Sequence, residues 1–426
     1  MNNTLFSIAA SVAAAAFFAW PVESRGAVAD GEALEIMALI DHYDLAAIPD
    51  PDRKGQYLFD SETPEGCEKI LDHVLLTGAQ TVLWRPESGS MMRYHSKEEG
   101  FLNRRGMDKR RMILHQEPVY TWVRYAESEV DLIDYMLGNI RQRGLCSGFH
   151  WPFEETHWAS WTFGPYNLEH PQYWGRSREG VPWCGRTSLA YPDAMAHKMR
   201  VVDELLAMKP EVIFIDCWRN GGWGPKYEYV EPQLERWRRK HGDAEPPAAN
   251  DIRWCEHVAE TVHDFYRQLQ SRIEASGLSP KPRVLVGFPV NSRGGAREEI
   301  LRKYGIDWQK LVEEKLVDGI VVMDVAWDPK RPAESAFEYY RELADLCRGK
   351  CQIFFPVQAY DFTGKSFYSF AKAMGVSNGK ATEKLLELAR QAGGDGVVLE
   401  VVDYRNYPDD VCAALRAEAA RGPVKK

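Results

Sequence analysis

Acidic residues stand directly after three short apolar runs of this 426-residue chain. The runs are V-I-F-I before Asp216, G-I-V-V-M before Asp324 and V-V-L before Glu400. Runs of this length are typical of strands that are buried on both faces of a parallel sheet. A carboxylate is costly to bury and has no packing role there, so we expect these acids to do chemistry. The pattern indicates catalytic carboxylates at the C-terminal ends of strands, where the active sites of β/α barrels lie.

Two carboxylates on either side of one bond are the usual means of hydrolysing a glycosidic bond. Asp216 and Asp324 would end the fourth and sixth strands, about 9 Å apart at the backbone for strands spaced by ~4.8 Å. Side chains that lean inward could close this to the ~5–5.5 Å of a retaining pair. Asp216 and Glu400 would face each other across the barrel mouth, which suits an inverting pair. Either acid could instead form a salt bridge with Arg219 or Arg405 at the rim.

Polar and aromatic residues near the predicted strand ends are candidates for substrate binding. Aromatic faces can stack on the apolar faces of pyranose rings, although packing in the core is the alternative for any single aromatic residue. The candidates are Asp41, His42, Trp84, Arg85, His150, Trp151, Glu154, Trp218, Arg219, Asn291, Trp327, Gln358, Tyr360 and Asp403.

The sequence does not favour a metal or cofactor site. The D-H-Y-D cluster at residues 41–44 lacks the H-x-H spacing of metal-dependent hydrolases. A second cluster of His150, Glu154, Glu155 and His157 is explained as well by hydrogen bonds that hold a loop. The chain has no C-x-x-C pair, and no glycine-rich phosphate loop follows the first strand. We therefore predict a site that works without metal or cofactor.

Apolar strand candidates alternate with amphipathic helix candidates along the whole chain. Strict alternation of this kind implies a parallel sheet with right-handed crossovers, and eight units favour a closed (β/α)8 TIM barrel. The predicted strands cover residues 35–40, 80–84, 145–150, 211–216, 283–290, 319–324, 352–357 and 396–402. The predicted helices cover residues 64–77, 130–143, 193–208, 252–275, 307–315, 336–348, 382–392 and 409–420.

Two segments are longer than a barrel requires. Residues 151–191, after the third strand, are crowded with aromatic residues, and residues 221–250, after the fourth, are charged and include a helical piece at 232–240. Both would lie at the C-terminal face of the barrel, and long loops there usually serve function. We predict that they are insertions that form the walls of a substrate cleft.

The N-terminus has the features of a signal peptide. An apolar run from Leu5 to Trp20 is followed by A-V-A and then Asp30, which predicts cleavage after residue 29 and one barrel domain over residues 30–426. The run is short for a membrane span, so we expect no stable membrane anchor, and a membrane-tethered N-terminus is the main alternative. The eight cysteines suit an oxidising compartment, and Cys347 and Cys351 would form either a disulfide or two buried thiols. We predict a periplasmic or secreted protein.

A net charge of −9 and a pI near 5.8 argue against a nucleic-acid partner, because binding to phosphates needs a basic surface. The hydrophobic content of 45% is ample for a large core. Oligomeric state is not indicated by the sequence.

Several motifs resemble those of the family-ten-like glycosyl hydrolases, a group of exported bacterial β/α barrels. The motifs are H-P-Q-Y-W from His170, L-A-Y-P-D-A-M-A-H-K from Leu189, V-I-F-I-D-C-W-R from Val212, and Y-G-I-D-W with L-V-D-G-I-V-V-M-D between residues 304 and 324. The family has a similar H-P-E-W element, a Tyr-Pro-Glu-Val helix and a D-G-I-x-L-D-x-x-R strand. Gln172 stands where the family has an acid, and Glu211 and Val212 replace its Asp-Gly.

This resemblance implies a β/α barrel that hydrolyses glycans. Together with the acids, it predicts an exported glycoside hydrolase for an oligo- or polysaccharide, with Asp216 as nucleophile and Asp324 as acid/base in the retaining form. Two other functions stay open. A non-catalytic glycan-binding barrel would keep the aromatic residues while its acids are locked to arginines or lie too far apart, and a metal-dependent deacetylase or amidohydrolase would bind zinc.

Overall fold

In a computed structural model of the chain, the described residues are 33–40, 64–88, 91–92, 94–98, 130–152, 165–217, 224–242, 245–290, 296–325, 328–357, 369–399 and 407–422. Their strands are β1 (Glu35–Ile40), β2 (Thr81–Trp84), β3 (Glu87–Ser88), β4 (Met91–Met92), β5 (Cys146–Pro152), β6 (Trp174–Arg176), β7 (Pro182–Thr187), β8 (Val212–Asp216), β9 (Arg283–Val290), β10 (Gly319–Val325), β11 (Gln352–Val357) and β12 (Gly396–Leu399).

Eight of these strands form a closed barrel in the order β1-β12-β11-β10-β9-β8-β5-β2, and every neighbouring pair is parallel. The predicted (β/α)8 TIM barrel is therefore confirmed. Along the chain, β5, β8, β9 and β10 are the third, fourth, fifth and sixth barrel strands. Two pairs lie outside the barrel, the two-residue strands β3 and β4 and the hairpin of β6 and β7.

Helices connect the barrel strands and cover the barrel. Those of the described residues are Pro64–Leu75, Leu132–Gln142, Pro165–Glu169, Pro192–Ala207, Glu231–His241, Ile252–Ser276, Ala296–Tyr304, Trp308–Glu313, Pro332–Cys347, Ser369–Met374, Asn378–Ala392 and Asp409–Ala419, with short 3-10 turns at Pro171–Tyr173 and Pro225–Tyr227. None of them is long and apolar enough to span a membrane.

Side chains that alternate along the barrel strands enter two separate cores. The outward residues pack against the helices in one large cluster. The inward residues fill the barrel, and glycines on neighbouring strands make room for the large rings among them. A Cβ atom at Gly287, for example, would lie 2.4 Å from the ring of Phe214. The inward cluster consists of Met37, Leu39, Leu83, Val212, Phe214, Leu285, Val321, Met323, Phe354 and Val398.

An ion pair closes the N-terminal end of the barrel. Arg283, the first residue of β9, donates two hydrogen bonds of 2.8 and 2.6 Å to the carboxylate of Glu35, the first residue of β1. The two strands are four places apart in the closed order of eight, so the pair spans the barrel diameter. Thr81 donates to the same carboxylate, and Gln352 accepts from Arg283. Burial lowers the pKa of Arg283, but its hydrogen bonds and attraction to Glu35 raise that pKa overall.

Cys347, the last residue of the helix Pro332–Cys347, and Cys351 are free thiols, as in the second of the two predicted alternatives, although Cys347 is buried and Cys351 only half-buried. A hydrogen bond with Cys351, and then burial, raise the pKa of the Cys347 thiol.

Candidate active site

Asp216 is the last residue of β8 and lies at the C-terminal end of the fourth barrel strand. One of its carboxylate oxygens, Oδ2, is 2.9 Å from Nε2 of His150, which comes from the neighbouring strand β5. Both side chains are completely buried. The strand register brings them together, because Asp216 pairs with Pro152 and His150 pairs with Phe214. The structure therefore joins two of the predicted site residues in one buried pair.

The imidazole of His150 is held by stacking. Its ring lies 5.3 Å from the ring of Phe214 at an interplanar angle of 12°. Phe214 belongs to the inward cluster, whereas the neighbours of His150 in sequence, Phe149 and Trp151, belong to the cluster that packs on the helices. His150 and Asp216 are thus a polar layer on top of the apolar interior of the barrel.

Two further neighbours of Asp216 are Cys217 and Gly287. The next residue, Cys217, is buried with the helix-facing cluster, and burial followed by the charge of Asp216 raises the pKa of its thiol well above the ordinary value. On the other side of β8, Asp216 pairs with Gly287 of β9, which has no side chain. Cys217 therefore stays a neutral thiol beside the carboxylate.

Arg85 follows β2 and is also buried. Its Nε donates a 2.6 Å hydrogen bond to the carbonyl oxygen of Glu87. The side chain of Glu87 is buried as well and accepts a hydrogen bond from the indole of Trp151. Arg85 is thus fixed near the strand end, and its predicted role in substrate binding stays a prediction.

Trp84 and Trp151 have a different role from the predicted one. Both indoles have an exposed fraction of 0% and lie in the cluster between the barrel and the helices. Trp151 packs at its edge against Phe265, and the ammonium group of the buried Lys198 lies 5.7 Å from its ring centroid. Because both indoles point away from the barrel interior and into the layer that packs on the helices, the structure assigns these two tryptophans to packing and not to sugar stacking.

Asp324 lies in the backbone of β10, whose C-terminal end is two barrel positions from that of β8. The backbone positions of the two acids thus lie at the ends of the fourth and sixth barrel strands, and their pairing stays a prediction. The pairing of β10 with β9 shifts register between Val322 and Val325, at the position of Asp324. Glu400 follows β12, which lies opposite β8 in the barrel, and is outside the described residues.

Most of the other candidate residues also fall outside the part of the chain that the structure describes. These are Asp41, His42, Glu154, Trp218, Arg219, Asn291, Trp327, Gln358, Tyr360 and Asp403.

The two predicted insertions contact each other. Residues 165–191 form a short helix, a 3-10 turn and the hairpin β6–β7, and the helix Glu231–His241 corresponds to the helical piece predicted in the other insertion. Ser188 in the first insertion donates a 2.7 Å hydrogen bond to the buried carboxylate of Glu228 in the second. Trp183 on β7 is 41% exposed and stacks against Tyr227, with ring centroids 4.3 Å apart.

Glu228 and Lys198 are buried charged residues that the sequence analysis did not single out. Lys198 is the last residue of the L-A-Y-P-D-A-M-A-H-K motif. A charged residue on the apolar side of that helix was the feature of the sequence that could have indicated its burial. Glu228 lies in a charged loop where no local pattern marks one acid as buried. Within the described residues, no group of three or more His, Cys, Asp or Glu side chains could hold a metal ion.

No protein-family model matches the sequence, and no curated protein matches it. Solved structures match its fold. The β-galactosidase of the psychrophilic Marinomonas ef1 is 9% identical with a TM-score of 0.52, and the alignment covers 91% of this chain and 59% of that one. A cold-adapted β-galactosidase from Rahnella sp. R3 is 11% identical with a TM-score of 0.58, over 93% of this chain and 57% of the other. The chain thus spans less than two thirds of either enzyme and shares with them the fold of a closed β/α barrel.

Proposed function

We propose that the protein is a glycoside hydrolase that cleaves an oligo- or polysaccharide, with Asp216 as its central catalytic group. The observation that carries this proposal is the buried carboxylate of Asp216, held by His150 at the C-terminal end of the fourth barrel strand. A carboxylate there costs free energy to bury, and it contributes nothing to the packing of the barrel. Catalytic groups of β/α barrels come from this face.

The fold supports a substrate that is a glycan. Both solved structures described above are β-galactosidases, and they share the barrel with this chain. The motifs that resemble the family-ten-like glycosyl hydrolases point to the same class of reaction. Because the identities are near 10%, the sugar and the linkage do not follow from these likenesses.

In the proposed reaction, Asp216 and Asp324 act as a retaining pair. A carboxylate oxygen of Asp216 attacks the anomeric carbon while the bond to the leaving oxygen breaks, and Asp324 gives its proton to that oxygen. Water, deprotonated by Asp324, then attacks the same carbon and releases the Asp216 carboxylate. Asp216 with Glu400 is the alternative pair, and its position across the barrel suits inversion of the anomeric centre.

The proposal also includes the place of action and the extent of the domain. We infer export to the periplasm or the medium from the apolar run and the A-V-A site at the N-terminus, so that residues 30–426 form the mature barrel domain. Segments 151–191 and 221–250 would then be the insertions that form the cleft.

Replacing Asp216 by Asn tests the proposal, because the amide keeps the shape of the side chain and removes the nucleophile. We expect turnover to fall by about 1000-fold or more, which is roughly 4 kcal/mol of barrier at about 1.4 kcal/mol per tenfold. The assay is the release of reducing ends from a panel of polysaccharides and nitrophenyl glycosides. The anomeric configuration of the first product, followed by NMR, separates retention from inversion.

Asp318→Asn is the matched control, since Asp318 precedes β10 at the opposite end of the barrel and accepts a 2.7 Å hydrogen bond from the backbone of Val284. Its turnover should be unchanged. Turnover of Asp216→Asn within tenfold of the wild-type value would remove Asp216 from the catalytic group. Binding of a glycan without cleavage would favour the glycan-binding barrel, and activity that a chelator abolishes and zinc restores would favour the metal-dependent hydrolase.

A further inference from the structure

The hydrogen bond between His150 and Asp216 carries information on which atom holds the proton. Nε2 of His150 contacts Oδ2 of Asp216 at 2.9 Å. The other ring nitrogen, Nδ1, is buried too, and it has no hydrogen-bond partner among the described residues. A buried polar atom without a partner is uncommon, and its cost depends on whether it carries a hydrogen.

Three arrangements of protons are possible for this pair. If Asp216 is ionised it can only accept, so Nε2 must donate, and a neutral imidazole then has a bare nitrogen at Nδ1. If Asp216 is protonated and donates to Nε2, the ring proton lies on Nδ1. If the imidazole is a cation, both nitrogens carry protons. The second and third arrangements bury an N–H group at Nδ1 without an acceptor, and orphaned N–H groups are the rarest of unpaired buried groups.

We propose that His150 is a positioning residue, neutral and protonated on Nε2 alone, which keeps Asp216 ionised and fixed in orientation. This inference rests on the proposed function. It gives Asp216 the role of the nucleophile and not that of the acid/base. The ring stacked on Phe214 cannot swing away without losing that contact. A retaining reaction needs one ionised and one protonated carboxylate, and His150 would select which of them is ionised.

Two neighbours of the pair bring no charge to it. Burial raises the pKa of the thiol of Cys217, the residue after β8, so this side chain stays neutral. On β9, the residue opposite Asp216 is Gly287, which carries no charge.

The first test is the tautomer itself, measured by two-bond proton–nitrogen NMR on protein labelled with 15N-histidine. The signals of His150 are assigned by their loss in His150→Gln, with His263→Gln as the control for a buried histidine elsewhere. We expect a protonated Nε2 and an unprotonated Nδ1 from pH 6 to pH 8. A proton on Nδ1 in this range, with or without one on Nε2, would overturn the proposal. This measurement does not depend on any enzymatic activity.

The second test compares two substitutions of His150. In His150→Gln the amide nitrogen can still donate to Asp216, so kcat should stay within about tenfold of the wild-type value. In His150→Leu the donor is lost, and kcat should fall on the order of 100-fold, the usual effect of removing one donor from a catalytic oxygen. Equal losses in both variants, with an unchanged fold by circular dichroism, would contradict the positioning role. His263→Gln should retain full activity.

The role of Asp216 is read from azide rescue of Asp216→Gly with a nitrophenyl glycoside that the wild type cleaves. If Asp216 is the nucleophile, azide attacks the anomeric carbon directly as nitrophenolate leaves, and the glycosyl azide has the inverted configuration. A glycosyl azide of retained configuration would identify Asp216 as the acid/base and overturn the assignment. If the wild type cleaves no glycoside, the proposed function fails, and the NMR measurement still decides the state of His150.

Discussion

The pair of Glu35 and Arg283 predicts a loss of stability without a loss of activity. It lies at the N-terminal end of the barrel, opposite to the end that carries Asp216. In Glu35→Ala, the guanidinium of Arg283 loses two charged hydrogen bonds and keeps the contact with Gln352. Residues at this face of a β/α barrel serve stability, so catalysis at the other face should be unaffected.

The size of the effect follows from burial. Removing one partner of a fully buried ion pair costs about 3–5 kcal/mol. The side chain of Glu35 is 8% exposed and that of Arg283 is 28% exposed, so water can partly solvate the remaining charge. We therefore expect a loss near the lower limit, about 3 kcal/mol. With about 2.1 cal/mol/K of unfolding entropy per residue over roughly 400 residues, this corresponds to a decrease in Tm of about 4 °C.

Urea unfolding followed by tryptophan fluorescence measures the loss, with thermal unfolding as a second readout. Glu35→Gln should lose less than Glu35→Ala, because its carbonyl can still accept from Arg283. The control is Glu274→Ala, which breaks an ion pair at the surface. The side chain of Glu274 is 69% exposed and that of its partner Lys281 is 60% exposed. Such exposed pairs contribute at most about 1 kcal/mol. If Glu35→Ala lowers the free energy of unfolding by no more than Glu274→Ala does, the ion pair of Glu35 and Arg283 does not stabilise the barrel as argued.

Two further predictions concern pH and the N-terminus. Burial lowers the pKa of His257 to about 4, so this residue takes up a proton below pH 6.5 in the unfolded chain before it does in the folded one. Its contribution to the free energy of unfolding should therefore fall by about 2 kcal/mol from pH 7.5 to pH 5. His257→Gln keeps a donor to the carbonyl of Gln233, and its urea midpoint should depend less on pH; an unchanged dependence would contradict this account. We also expect the exported protein to begin near Asp30, and intact mass after secretion from a native host tests it, since a full-length cytoplasmic product would exclude export.

The barrel was predictable because its strands are continuous apolar runs with clear ends. The observed bounds of β1, β9 and β11 are the predicted ones, and the other five differ by a few residues at most among the described residues. The helix Ala296–Tyr304 was not predicted. Its sequence, A-R-E-E-I-L-R-K-Y, has few apolar residues. The apolar periodicity that predicts a helix is weak when only a few residues of the helix pack against the core.

The site was only partly predictable, because one residue of register decides which side chains face inward. Trp84 and Arg85 are adjacent, as are His150 and Trp151, and the sequence proposes all four as ligand contacts. In the structure both tryptophans belong to the helix-facing layer, whereas His150 contacts Asp216. The hydrogen bond between His150 and Asp216 depends on the register in which β5 pairs with β8. This register cannot be read from the sequence of either strand alone.

The contact between the two insertions limits how the specificity of this barrel could be changed. The backbones of Arg176 in β6 and Glu228 form an isolated parallel β-bridge, and the backbone N–H of Tyr229 donates to the carbonyl oxygen of Arg176. A Cβ atom at Gly175 would lie 2.8 Å from the carbonyl oxygen of Tyr227. Exchanging residues 165–191 alone would remove Ser188, which donates a hydrogen bond to the buried carboxylate of Glu228. A loop graft from another barrel would therefore have to carry residues 165–191 and 224–242 together, and natural variation in one should be accompanied by variation in the other.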